Sequence, residues 1–273
     1  MKIAFIGGGN MASALIGGLV NNSTHATDIL VIDPNDAARA FISARYPGIS
    51  TLPGADPTLA EYDAIVLAVK PQAAAVVCRQ VAPHVVAAQV VVSIVAGIRI
   101  TDISRWLKGH VCIVLCMPNT PALVGKGVCG LMAMPSVDDA RRTLANHLME
   151  SVGRTVWVEH EDQIDAVTAI SGSGPAYVFY FIEALQEAAR YLGLDDEQGC
   201  SLAIATFEGA ALLAVQSTNA PSLLRENVTS KGGTTAAALA SFDQQGIKDA
   251  IIKGVIAAKD RATAMADGFA KAD

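Results

Sequence analysis

Ser230 to Thr235, SKGGTT, have the make-up of an anion cradle. Glycines let a backbone fold around a small ligand, and the hydroxyls of Ser230, Thr234 and Thr235 donate hydrogen bonds. The helical run that follows, AAALASF, brings a helix N-terminus with unpaired N–H groups to the same place. No His, Cys or carboxylate lies within the longer stretch NVTSKGGTTAAAL, 227–239. Any chemistry there must come from backbone N–H groups, hydroxyls, the Asn227 amide and the Lys231 ammonium.

A second constellation lies at the start. IAFIGGGNMASAL sets Gly7-x-Gly9-x-x-Ala12 between an apolar run and a helical one. Gly7 permits a tight turn, Gly9 lets a pyrophosphate approach the backbone, and Ala12 stands in for a third glycine. The phosphates would meet free N–H groups at the helix N-terminus. The next apolar run ends LVIDPN, where Asp33 is placed to accept from ribose hydroxyls. Asn35 and Arg39 are placed to receive a 2′-phosphate instead if Asp33 turns away, so NADH and NADPH both stay open. LAVKPQ puts Lys70 at a strand end, and CMPNTPA puts Asn119 and Thr120 there, with Pro71, Pro118 and Pro121 stiffening both exits.

These groups need a frame that brings strand ends to one edge. KIAFIG, DILVID, DAIVLAV, QVVVSIVAG and VCIVLCMP are short apolar runs bounded by turn formers. Continuous apolarity suits strands buried on both faces of a parallel sheet, and the intervening segments are long enough for crossover helices. A Rossmann-type doubly wound α/β domain is expected over 1–158. The strands then stop, and 159–273 reads as helices rich in Ala and Gly, with Asp195 or Asp196 as an N-cap and Pro221 opening a short helix. Those helices are apolar on more than one face, so this half is expected to bury surface against a second subunit, as a homodimer at least.

Composition narrows the function. A net charge of −6 argues against a nucleic-acid surface. Five cysteines without a C-x-x-C pair read as buried, reduced thiols, and five scattered histidines offer no metal-ligand spacing, so no metal site is expected. The run VVAAQVVVSIVAGI at 85–98 is too short to span a bilayer and holds Gln89 and Ser93. No membrane partner and a cytoplasmic location are expected.

FIGGGNMASALIGGL, AVKPQ, MPNTPA, DAVTAISGSGPAY and NVTSKGGTTAAAL occur in the order and spacing of the pyrroline-5-carboxylate reductases, and the chain resembles that family over essentially its whole length. The resemblance implies reduction of the cyclic imine 1-pyrroline-5-carboxylate to L-proline with NADPH or NADH, the last step of proline biosynthesis. It also implies a Rossmann domain followed by a helical domain that interlocks in dimers, often assembled into decamers. By the same resemblance Ser230, Gly233, Thr234 and Thr235 would hold the substrate, with Asn227 and Glu161 close to it. Thr235 is the implied proton donor, and Lys70 is the second implied catalytic residue. The implied cofactor set runs Ile6, Gly7, Gly8, Gly9, Asn10, Met11, Asp33, Asn35, Ala68, Val69, Lys70, Pro71, Ala96, Gly97 and Asn119. Two departures stand out. Lys231 replaces a common Pro, and Ala55 replaces a common Asn beside the adenosine. The β-hydroxyacid dehydrogenases share the layout, but they carry a Lys one helical turn after their helical-domain glycines, and SGSGPAYVFYFIEAL has none.

Overall fold

A computed structural model describes residues 1–271. The strands are β1 (Ile3–Ile6), β2 (Ile29–Ile32), β3 (Ser50–Leu52), β4 (Ala64–Leu67), β5 (Val90–Ser93), β6 (Ile113–Met117), β7 (Gly127–Ala133) and β8 (Gly153–Trp157). Helices α1 (Asn10–Asn21), α2 (Asp36–Arg45), α3 (Pro71–Val81), α4 (Ile100–Trp106) and α5 (Asp139–Glu150) make the crossovers. All eight strands form one sheet in the order β3-β2-β1-β4-β5-β6-β7-β8. The first six are parallel and follow the doubly wound dinucleotide-binding order.

The five apolar runs expected from sequence are β1, β2, β4, β5 and β6. The sheet carries further strands beside them. β7 runs antiparallel to β6, and β8 is parallel to β7, so the sheet is mixed at one end. The edge strand β3 has only three partly exposed residues, and β7 contains two glycines. Neither has the continuous apolar signature of a doubly covered strand.

Side-chain alternation along the strands fills two cores. Ile3 and Phe5 face one, with Ala12, Leu15, Ile16 and Leu19 of α1. Ala4 and Ile6 face the other, with Ala74, Cys78 and Val81 of α3. The α1 set recurs at i, i+3, i+4 and i+7, one stripe of a helix. Cys78, Cys112, Cys116 and Cys129 are buried in these cores, and Cys200 is partly covered. Burial pushes the Cys78 thiol up to about 12, which leaves it a small apolar side chain at neutral pH.

The remaining helices are α6 (Glu161–Val167), α7 (Gly174–Tyr191), α8 (Asp196–Gln216), α9 (Pro221–Asn227), α10 (Thr234–Gln244) and α11 (Ile247–Lys271). A π-turn over Thr168–Gly172 separates α6 from α7, at the SGSG stretch. Contacts divide the chain into Met1–Gly172 with the chain from Ala258 onward, and Ser173–Ala257. The sheet-bearing unit thus extends past the 158/159 division drawn from sequence texture, because α6 packs on β6 and β7. In the second unit α7 and α8 pair closely, Gly199 lying against the methyl of Ala189. Asp195 caps α8, accepting from Gln198 N–H at 2.8 Å, and Gln198 Oε1 accepts from Asp195 N–H at 3.1 Å.

Candidate functional site

In the doubly wound order the strand sequence reverses between β1 and β4, and ligands bind at the carboxyl ends of strands beside such a reversal. Gly7 leaves β1 with φ +103 and its N–H donates to Ile32 O at 2.8 Å. A Cβ here would stand 2.5 Å from Ala68 O, so only glycine lets the exits of β1 and β4 lie this close. Gly9 is the N-cap of α1 in extended conformation, and a Cβ there would meet nothing within 4 Å. Asn10 and Met11 open the helix, where backbone N–H groups have no intrahelical acceptor. The sequence therefore builds a bare backbone cradle with open space before it.

The groove in front of this turn has a volume of about 480 Å³ and takes in Ile6, Gly7, Gly9, Asp33, Ala68, Val69 and Lys70, with Ala55 on its wall. Lys70 is the exposed N-cap of α3, and Pro71 takes the first helical position. A pyrophosphate fits this cradle, and the exposed Lys70 ammonium adds a cation at its rim.

Asp33 is turned inward. Its Oδ2 accepts from Gly8 N–H and its Oδ1 from Asn35 N–H, both at 2.8 Å. Asn35 caps α2, accepting from Ala37 N–H at 2.9 Å. Arg39 donates to Asp33 O at 2.6 Å and pairs with Asp36. Both carboxylate oxygens thus tie the Gly-rich turn to the exit of β2. The sequence puts Asp33 at the exit of β2 but does not show that its oxygens already have donors.

Asn119 is likewise occupied. Its Oδ1 accepts from Val128 N–H at 2.9 Å and its Nδ2 donates to Ser171 O at 3.0 Å. It is buried and joins the exit of β6, the start of β7 and the π-turn. Ala96 and Gly97 lie elsewhere in the same unit, on a small cavity of about 60 Å³ beyond β5, with Arg99, Glu161 and Asp165. Glu161 Oε1 accepts from Ile100 N–H at 2.7 Å. Burial raises the Glu161 carboxyl above its usual range. The Ile100 N–H and the Arg99 guanidinium oppose that shift, while Asp165 and Asp102 add to it. The buried Asp165 accepts from Arg99 Nη2 at 3.1 Å and from Thr263 Oγ1 at 2.8 Å.

The second unit carries the SKGGTT stretch. Asn227 ends α9, and the chain turns through Ser230 and Lys231 to Gly232, with φ +72. Gly233 is the extended N-cap of α10 and its N–H donates to Ser230 O at 3.0 Å. A Cβ on Gly233 would press on Ser230 Oγ at 2.4 Å. Thr234 and Thr235 are the first two helical residues, Thr235 half-buried and Thr234 exposed. A glycine cap has no side chain to satisfy the first-turn N–H groups, so they remain open to an anion.

Residues 161–265 match the family model for pyrroline-5-carboxylate reductase dimerisation, and residues 2–97 match that for coenzyme F420-dependent NADP oxidoreductases. The chain is 42% identical to the pyrroline-5-carboxylate reductase of Pseudomonas aeruginosa, covering 97% of each, and 33% identical to one from Glycine max, covering 95% of this chain and 94% of that one. Among solved structures, a pyrroline-5-carboxylate reductase from Coxiella burnetii superposes with a TM-score of 0.91 at 38% identity, over 97% of this chain and 98% of that one. A Plasmodium falciparum pyrroline carboxylate reductase with NADP bound gives 0.83 at 30% identity, over the same shares.

Proposed function

The chain belongs to the pyrroline-5-carboxylate reductase family, and we propose that it uses NADPH or NADH to reduce 1-pyrroline-5-carboxylate to proline. The observation that carries this is the match to a reductase at 42% identity over 97% of both chains. With its pyrophosphate at the Gly-rich turn, the bound cofactor would supply the hydride from its reduced nicotinamide. The residues of this chain bind, orient and supply the proton.

The N–H groups of Asn10 and Met11, behind Gly9, hold the pyrophosphate, and Lys70 adds its charge beside them. The N–H groups opening α10 and the hydroxyls of Ser230 and Thr234 hold the substrate carboxylate. Thr235 Oγ1 would donate its proton to the ring nitrogen and take one back from solvent, while the adjacent carbon would gain hydride. An imine nitrogen is basic enough to need only a positioned hydroxyl, so the chemistry requires no carboxylic acid or imidazolium in SKGGTT. Asn227, at the end of α9, completes the substrate side. We leave Asn119 and Glu161 out of the ligand set, because their side chains already have backbone partners.

The stretch that matches the dimerisation model, 161–265, pairs two copies of the chain. Phe179 and Tyr180 of α7 are 61% and 71% exposed, and Leu202, Ile204, Leu212 and Leu213 of α8 are exposed as well. By length and composition α8 is apolar enough to cross a bilayer, with mean hydropathy 1.4. Burial between subunits in the cytoplasm accounts for the same surface, and light scattering would read a dimer mass or its fivefold multiple. The reaction itself is tested by following NADPH and NADH oxidation with pyrroline-5-carboxylate. Substrate-dependent oxidation is expected, with Thr235→Ala losing turnover while NADPH affinity holds. A folded protein that binds NADPH but oxidises neither cofactor would be a sensor or scaffold instead.

A further inference from the structure

We propose that Glu161 is a positioning residue, which with Asp165 holds the Ala96–Ile100 loop so that Ala96 and Gly97 wall the nicotinamide end of the cofactor. This rests on the reductase reading for the identity of that cofactor. In a doubly wound sheet the β1–β3 half takes the adenosine and the β4–β6 half takes the nicotinamide, so the loop leaving β5 belongs to the reacting end.

The loop is gripped at adjacent residues by one helix. Glu161 and Asp165 are four apart and share a face of α6. Glu161 Oε1 takes the Ile100 N–H at 2.7 Å, the first N–H of α4, where a carboxylate also meets the favourable end of the helix dipole. One residue earlier, Asp165 takes the Arg99 guanidinium at 3.1 Å. Asp165 is only 5% exposed and also accepts from Thr263 Oγ1 at 2.8 Å. Thr263 belongs to the last part of α11, and Asp267 lies a further turn along, 3.9 Å from Arg99. The same helix closes on the loop directly. A Cβ on Gly97 would meet Phe269 at 3.8 Å and Met265 at 3.9 Å, an ordinary van der Waals distance. Two elements far along the chain therefore set where Ala96 and Gly97 stand.

Misplacing a reacting group by about 1 Å can cost roughly a hundredfold in rate. The test compares Glu161→Ala, Glu161→Gln and Thr263→Val. Gln retains an oxygen for the Ile100 N–H but carries no charge, whereas Ala loses both. Expected for Glu161→Ala is a kcat roughly tenfold to a hundredfold lower at saturating NADPH, with a weaker rise in nicotinamide fluorescence on binding. Affinity for adenosine 2′,5′-bisphosphate, which reaches only the β1–β3 half, should stay unchanged. Glu161→Gln should recover to within about threefold of wild type, and Thr263→Val should move in the direction of Glu161→Ala.

Glu161→Gln falling as far as Glu161→Ala would overturn the proposal, since the charge itself would then act at the reaction. So would Glu161→Ala matching wild type, or losing adenosine bisphosphate affinity in step with its rate. If Glu161→Ala does not fold, the Gln and Val variants still decide between charge and position. Were the wild type inactive on pyrroline-5-carboxylate, the fluorescence comparison would still report the loop, and only the reductase reading would fall.

Discussion

Gly7 and Gly9 stand two residues apart in one motif, yet the structure gives them separable jobs, and alanine at each should fail in a different assay. Gly7 has φ +103, and a Cβ would stand 2.5 Å from Ala68 O and 2.9 Å from Ala68 C. Left-handed backbone costs an L-residue about 1–3 kcal/mol. The clash is with main chain, which can yield only by opening the β1 and β4 exits that Ala68 N–H and Ile6 O tie at 2.8 Å. Overpacking of that kind adds roughly 1–3 kcal/mol. Gly7→Ala should therefore lose about 2–6 kcal/mol, a large part of a typical domain's stability. Gly9 has φ −72 and ψ −175, which alanine adopts freely, and its Cβ meets no protein atom within 4 Å. Alanine is a poorer N-cap but restricts the unfolded chain, and the two effects cancel to within about 1 kcal/mol. The added methyl stands where a pyrophosphate must approach. Losing one charge-assisted N–H bond to phosphate, about 1.5–3 kcal/mol, weakens NADPH binding roughly tenfold to a hundredfold. Urea unfolding at fixed protomer concentration reads the first effect and NADPH fluorescence titration reads the second. A Gly9→Ala protein that binds NADPH within twofold of wild type would refute the cradle. A Gly7→Ala protein as stable as Gly9→Ala would refute the contact between strand exits.

Asn119→Ala should cost about 1–3 kcal/mol in urea unfolding, because Val128 N–H and Ser171 O lose a buried partner. Its NADPH affinity should hold, and a tenfold loss would return Asn119 to the cofactor set. Gln89, 2% exposed, donates to Leu59 O at 2.6 Å and Tyr62 O at 2.8 Å and accepts from Val86 N–H at 2.8 Å. Gln89→Leu should cost roughly 2–4 kcal/mol by the same assay, and an unchanged midpoint would mean that water replaces the amide. Burial lowers the His110 imidazole below its usual range against the smaller, opposing contact with Gln89 O. The folded state then binds that proton less readily than the unfolded chain does. Stability should be complete above about pH 6.5 and be lost as pH falls below it. His110→Gln should flatten that slope below about pH 6.5, and an unchanged slope would place the titration elsewhere.

What could be read from sequence follows from how local each signal is. β1, β2, β4, β5 and β6 were legible because strands covered on both faces are continuous apolar runs, and their order with helices between them dictates the doubly wound sheet. The positions of Gly7, Gly9 and the Gly233–Thr235 helix start were legible for a similar reason, since glycine beside a helix start has a backbone meaning within a few residues. The antiparallel β7 was not, because its glycines break the run and its pairing with β6 is settled by the Pro-rich turn between them.

Polar side chains were the least legible, and Asp33, Asn119 and Glu161 show why. Each stands where a ligand contact was expected. Each meets a backbone N–H, from Gly8, Val128 and Ile100 respectively, that lies 25, 9 and 61 residues away. A buried amide N–H must find an acceptor, and a carboxylate or carboxamide beside a strand end is the cheapest one available. The same chemistry that suits these residues to a cofactor thus suits them to fixing the loops that hold it, and residue type cannot separate the two uses. Geometry can. An oxygen that already accepts a backbone N–H, as in Asp33, Asn119 and Glu161, is fixing a loop, whereas Lys70 and Thr234 stand exposed at the starts of α3 and α10.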